Sequence, residues 1–166
     1  MDTLEGLLSH PLTLLIVGAL LSSLLIPSWT RQWQDRQSEL RVKVDLVDKI
    51  DNSVTGIVMA VQFAVLRAEG QSQVDYDRAY RQWEVDRRLI RSQLRAYYPE
   101  KPLAGDWNEL SEEITALYAG SQEGTALSGD GKEEYLNDFA QKKDAFFERT
   151  DRLNNEILQA SISVFR

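Results

Sequence analysis

The sequence predicts an all-α chain: one N-terminal transmembrane helix within residues 1–30, then an antiparallel bundle of three long helices and one short helix in residues 31–166. Three observations carry that prediction. Leu12–Ile26 reads LTLLIVGALLSSLLI, without a single charged side chain. Beyond residue 30, apolar side chains recur at steps of three and four, the period of a helix, and no run alternates as a strand would. Four prolines and nine glycines in 166 residues are too few for a turn-rich β fold.

The anchor comes first. Leu12–Ile26 alone would rise only about 22 Å, short of the ~30 Å hydrocarbon core, but adding Leu7–Pro11 brings the length to about 30 Å. Ser9 fits a helix cap and Pro11 the first turn, where the missing N–H costs nothing. Trp29 and Trp33 follow the span, and tryptophan favours the headgroup level, so both are expected as interface anchors. A cleaved signal peptide would start basic and end in small residues; this start is acidic. No Lys or Arg precedes the span, whereas Arg31, Arg36, Arg41 and Lys43 follow it closely. The positive-inside rule then sets the N-terminus outside and the helical domain in the cytoplasm, on the inner (cytoplasmic) membrane. Within the span, Gly18 and Ser22 are four apart, as are Ala19 and Ser23. Small residues at that spacing let helix backbones approach in lipid, so these four are expected to pack against another helix or a second copy.

The bundle's first helix continues from the anchor. Leu40, Val44, Val47, Val54, Val58, Val61 and Val65 form one stripe, with Asp51 at the polar step, and Leu46, Ile50, Ile57, Ala60 and Ala64 form a second beside it. Two adjacent stripes make a face wide enough to need two neighbours. Gly70 predicts a turn. A second helix over 75–98 shows Tyr76, Tyr80, Trp83, Ile90, Leu94 and Tyr97 on one face and ends at Pro99 and Pro102. Asp106 with Glu109 resembles a capping box for a short helix through Tyr118. Gly120–Gly131 is expected as a loop, and the last helix spans about 132–164. Levelling the first two helices across the hairpin places Asp51 opposite Arg91 or Arg95, an expected core ion pair.

Composition narrows the chemistry. The absence of cysteine excludes a disulfide framework, a thiolate zinc site, an iron–sulfur cluster and a nucleophilic thiol. His10, the single histidine, is expected at the membrane edge and has no acid and serine arranged with it as a triad. The net charge of −7 argues against non-specific nucleic-acid binding, which needs a basic field. Gly129–Lys132 departs from a phosphate-binding loop, with Ala126 where the first glycine belongs and Glu133 where the hydroxyl belongs. The acidic pairs Glu112–Glu113 and Glu133–Glu134 point about 100° apart on a helix and share no ligand. The sequence therefore assigns no catalytic residue, cofactor or metal.

Arg87, Arg88, Arg91 and Arg95 lie along one side of the second helix. One reading pairs them with the chain's own acids, of which residues 106–123 hold five and no base. The other makes them a docking stripe for an acidic partner or anionic headgroups. On these grounds the chain is expected to be a non-enzymatic, single-pass accessory or scaffold subunit of an inner-membrane complex. Its partners would be membrane lipid and other subunits. The alternative is a membrane-anchored helical sensor that binds a small ligand between its helices.

Overall fold

The computed structural model of the chain describes residues 11–66, 73–126 and 130–162, with side chains described at 15, 18, 19, 30, 33–66, 75–121 and 130–162. Among the described residues there are four helices and no strand: α1 (Pro11–Leu66), α2 (Gln73–Tyr97), α3 (Leu103–Ala126) and α4 (Asp130–Gln159). The chain divides into two compact units, Met1–Arg41 and Val42–Arg166. The all-α fold with an N-terminal helix ahead of a bundle is the one the sequence predicts.

Helix α1 is long and apolar enough to cross a membrane. The window that meets this test lies within Trp33–Leu66. Its aliphatic side chains Ile50, Val54, Ile57, Val58, Val61 and Val65 are at most 1% exposed, so the part from Val42 onward is the core helix of the bundle. The uncharged Leu12–Ile26 stretch lies in the other unit. Pro11 opens α1, as its fixed φ allows, and α1 continues through Pro27.

The second unit is an antiparallel bundle. The apolar faces of α1, α2, α3 and α4 meet in one core, contributing Ile57 and Val61, Trp83 and Leu94, Trp107 and Ile114, and Phe146 and Ile157 respectively. Trp83 and Trp107 pack edge to face at 5.8 Å. Each satisfies its indole N–H: Trp83 donates to Thr115 Oγ1 at 3.1 Å, and Trp107 to the Arg87 carbonyl at 2.9 Å. Without those acceptors a buried N–H would cost about 1–3 kcal/mol. Nearby, Tyr118 is stacked between Tyr76 and Tyr80, and the Tyr76 hydroxyl bonds to Ser121 and the Tyr118 carbonyl. Burial, reinforced by Tyr76 and Asp77, pushes the Tyr118 phenol up to about 12.

Helix α4 ends at Gln159, short of the expected 164, and three further features differ from expectation. The α2–α3 connection is tighter: the Pro102 carbonyl accepts from Gly105 at 2.6 Å and Asp106 at 3.1 Å, so α3 begins at Leu103 rather than at the Asp106 box. Leu103, 1% exposed, seals that end. At its other end α3 runs past Tyr118 and Gly120 to Ala126, so the expected short helix has 24 residues. Buried Ser121, tied to Tyr76 and to the Tyr118 carbonyl, holds the extra turns in place. The third difference is at the start of the valine stripe, where Leu40 (56% exposed) and Val44 (48%) lie outside the core. The Gly70 turn and residues 163–166 lie outside the described residues.

Lys43, only 7% exposed, donates from Nζ to the Leu158 carbonyl at 3.3 Å. Helix α4 has no basic residue in its own last turn. Lys43 thus supplies from α1 the positive charge that a helix C-terminus favours.

Gly120 tests the length of α3. Its missing Cβ faces open space, with nothing within 4 Å. Gly120→Ala in the full chain is expected to stabilise by about 0.5–1 kcal/mol, as alanine does in a helix interior. Thermal unfolding followed at 222 nm measures this. A lowered midpoint would place Gly120 in a loop.

Candidate docking site

The arginine stripe is largely occupied by its own helix. Glu84 Oε1 lies 2.8 Å from Arg87 Nε, an ion pair misaligned as a hydrogen bond, while Glu84 Oε2 accepts from Arg87 Nη2 and Arg88 Nη2 at 3.1 Å each. Arg91 is half-buried, and its Nε has no hydrogen-bond partner. Arg95 is exposed. The pairing with α3 acids falls instead to Arg149 of α4, whose Nη1 meets Glu113 Oε2 at 2.6 Å. Glu84 stands three and four residues before Arg87 and Arg88, so this pairing was visible in the sequence.

Asp51 meets neither Arg91 nor Arg95. It faces α4, where Asn154 Nδ2 donates to its Oδ1 at 2.6 Å. Levelling two helices sets height but not azimuth, and Asp51 sits on the α4 side of α1. Burial raises the Asp51 pKa above the ordinary carboxylate value, the Asn154 bond lowers it, and Asp151 and Asp48 add repulsion. Asn154 Oδ1 is meanwhile buried without a partner.

On α1's other unit, Gly18 and Ala19 are exposed, and nothing lies within 4 Å of where a Gly18 Cβ would stand. The side chains of Ser22, Ser23 and Trp29 lie outside the described residues, as does His10. Trp33 is 67% exposed. In the bundle, α2 carries two large apolar side chains outside the core, Val85 at 60% and Leu89 at 42%. Together with Gln82 and Asp86 they fall at steps of three, four and seven along one side of α2. Gln82 and Asp86 also line a cleft of about 540 Å³ between α1 and α2. From α1 it receives Asp45, Asp48, Lys49, Ser53 and Gly56, with Ile57 and Trp83 in its floor. Sequence reasoning missed this site because its α1 members read as the solvated side of a core helix. Gly56, the only glycine from Ser28 to Ala68, was the signal available.

A carboxyl whose folded pKa is raised stabilises the fold below its unfolded value, and that contribution is lost as pH rises through the folded value. Asp51 therefore disfavours the fold at neutral pH. Asp51→Asn removes that charge and offers a donor to Asn154 Oδ1. A gain of a few tenths of a kcal/mol at pH 7, after solvent screening, is expected, shrinking as pH falls towards about 4 and absent below it. Thermal midpoints from pH 3.5 to 7.5 check it; a midpoint at pH 7 below wild type would mean the carboxylate's bond outweighs its burial.

No protein-family model matches the chain, and no curated protein and no solved structure matches it.

Proposed function

We propose that this chain is a bitopic accessory or scaffold subunit of an inner-membrane protein complex, anchored through α1 and acting through protein–protein contacts of its helical bundle. One observation carries the proposal: Val85 and Leu89, one turn apart on α2, are exposed beside a cleft rather than folded into the core. Large apolar side chains grouped with a polar rim mark a docking surface. The anchor reading draws on the uncharged Leu12–Ile26 stretch, and Gly18, Ala19, Ser22 and Ser23 provide the side of that helix for packing in lipid. The basic flank after the span supports a cytoplasmic bundle. A second reading, the small-ligand sensor, draws on the cleft volume, which lies in the small-molecule range. Exposed Val85 and Leu89 favour the scaffold, because a small ligand in the cleft leaves them uncovered.

Two measurements test it. Val85→Asp with Leu89→Asp, purified from its own cells in mild detergent, is expected to lose the proteins that accompany the wild-type chain, at unchanged thermal midpoint. Retention of every companion would overturn the docking face. For topology, Ser92→Cys and Asp144→Cys place single thiols at exposed positions of the bundle. Both are expected to resist an impermeant thiol reagent in intact cells and to react after permeabilisation. Labelling of intact cells at both sites would reverse the orientation.

A further inference from the structure

Two features of α1's outer side gain nothing from the rest of the chain. Asp45 and Asp48 lie three residues apart on one side, where like charges repel, and neither is paired with a cation among the described residues. Gly56 sits in a helix interior at a cost of about 1 kcal/mol relative to alanine, yet nothing lies within 4 Å of where its Cβ would be. No close approach inside the chain explains that glycine. Both features open on the α1–α2 cleft, and so does Ser53. Ser53 is 9% exposed and makes no hydrogen bond among the described residues. Its hydroxyl is not sealed from the cleft, so an occupant of the cleft can bond it.

The cleft's chemistry selects its occupant. Asp45, Asp48 and Asp86 outnumber Lys49, so the walls carry a net negative charge. The floor is apolar and low, with Gly56 and Ala79 beside Ile57 and Trp83. The α2 rim continues outward through Val85 and Leu89. From Asp45 to Gly56 the wall extends about 16 Å, three helical turns. A small amine would satisfy the carboxylates but leave the apolar rim uncovered. A helix with lysine or arginine along one edge and aliphatic side chains along the other covers both, and the low floor admits its backbone.

We infer that the α1–α2 cleft is a docking groove for a basic amphipathic helix of a partner protein. This rests on the scaffold reading and deepens it by naming the partner's chemistry. Asp45 and Asp48 receive cationic side chains from one wall and Asp86 from the other. Ser53 takes up a hydrogen bond in the floor. An aliphatic side chain of the incoming helix enters over Gly56 and Ala79, and others cover Val85 and Leu89.

The probe is a fluorescein-labelled 18-residue helical peptide of leucine, alanine and lysine, with lysine along one edge. It is titrated by fluorescence anisotropy against the full chain in phosphatidylcholine nanodiscs, with empty nanodiscs subtracted. Saturable binding is expected, weakening with added salt as exposed charge pairs do. Asp45→Asn with Asp48→Asn is expected to raise Kd about tenfold or more, as removal of facing charges does in other interfaces. Gly56→Leu, which changes no charge and fills the floor, is expected to raise it equally while leaving the thermal midpoint at or above wild type. Glu133→Gln with Asp144→Asn on α4 removes the same charge elsewhere and is expected to stay within about twofold of wild type, because screened distant charges contribute little. Equal weakening by that control, or wild-type binding by Gly56→Leu, overturns the groove. Displacement of the peptide by equimolar spermine makes the cleft a polyamine site and overturns the helix assignment. If the groove fails while Val85→Asp with Leu89→Asp still strips companions from the native complex, the scaffold reading stands and only the groove falls.

Discussion

The bundle depends on covering one face of α1. Val54, Val58, Val61 and Val65 are fully buried, with Ile50 and Ile57 beside them. Valine loses rotamer freedom in a helix and favours it only weakly, so this segment is a helix because burial holds it. Each such side chain contributes about 1.5–3 kcal/mol when removed from water. Covering a face two stripes wide takes more than one neighbour, and the shared core with α2, α3 and α4 follows from that demand.

Once the apolar face is closed, the polar groups caught inside need partners, and most find one, Arg91 Nε and Asn154 Oδ1 being exceptions. The indoles of Trp83 and Trp107 donate to Thr115 and to the Arg87 carbonyl. The Tyr76 hydroxyl of α2 meets Ser121 in the later turns of α3. Lys43, almost wholly buried, finds the carbonyl end of α4. Ion pairs behave alike: Glu84 holds Arg87 and Arg88 on its own helix, and Lys142 meets Asp138 one turn away. Exposed pairs at such spacings contribute only a few tenths of a kcal/mol. Their consequence here is to occupy the arginines that a docking stripe would have used.

The helices and most of the core were legible in the sequence because the spacing of Ile50, Val54, Ile57, Val61, Trp83, Ile90 and Leu94 states which side of each helix is dry. What escaped was set by side chains distant in sequence. Gly120 and Gly124 read locally as a loop, and only the Tyr76–Ser121 contact, 45 residues apart, shows why α3 continues. The partner of Asp51 depended on the order of helices around the core, which a hairpin register does not contain. The start of α3 turned on a proline carbonyl, an acceptor available at any residue and therefore invisible as a pattern. The candidate site was legible only in fragments: Gly56 was conspicuous, but its meeting with Ala79 across a cleft required two helices to be placed.

Those fragments share one side of α1, and that is where local economy fails. On this side two aspartates repel without a cation, a helix carries a glycine that its own packing does not require, and the Ser53 hydroxyl bonds nothing among the described residues. The neighbouring aspartates and the helical glycine each raise the free energy of the isolated bundle. Chains hold such departures where function needs them and recover the cost elsewhere. A surface that becomes satisfied only when a cationic, aliphatic-edged helix lies across it has its compensation outside the chain. The same surface explains why Val85 and Leu89 stay outside a core that had room to exclude them. Burying them against α1 would close the one side of the bundle whose charges and spaces remain open.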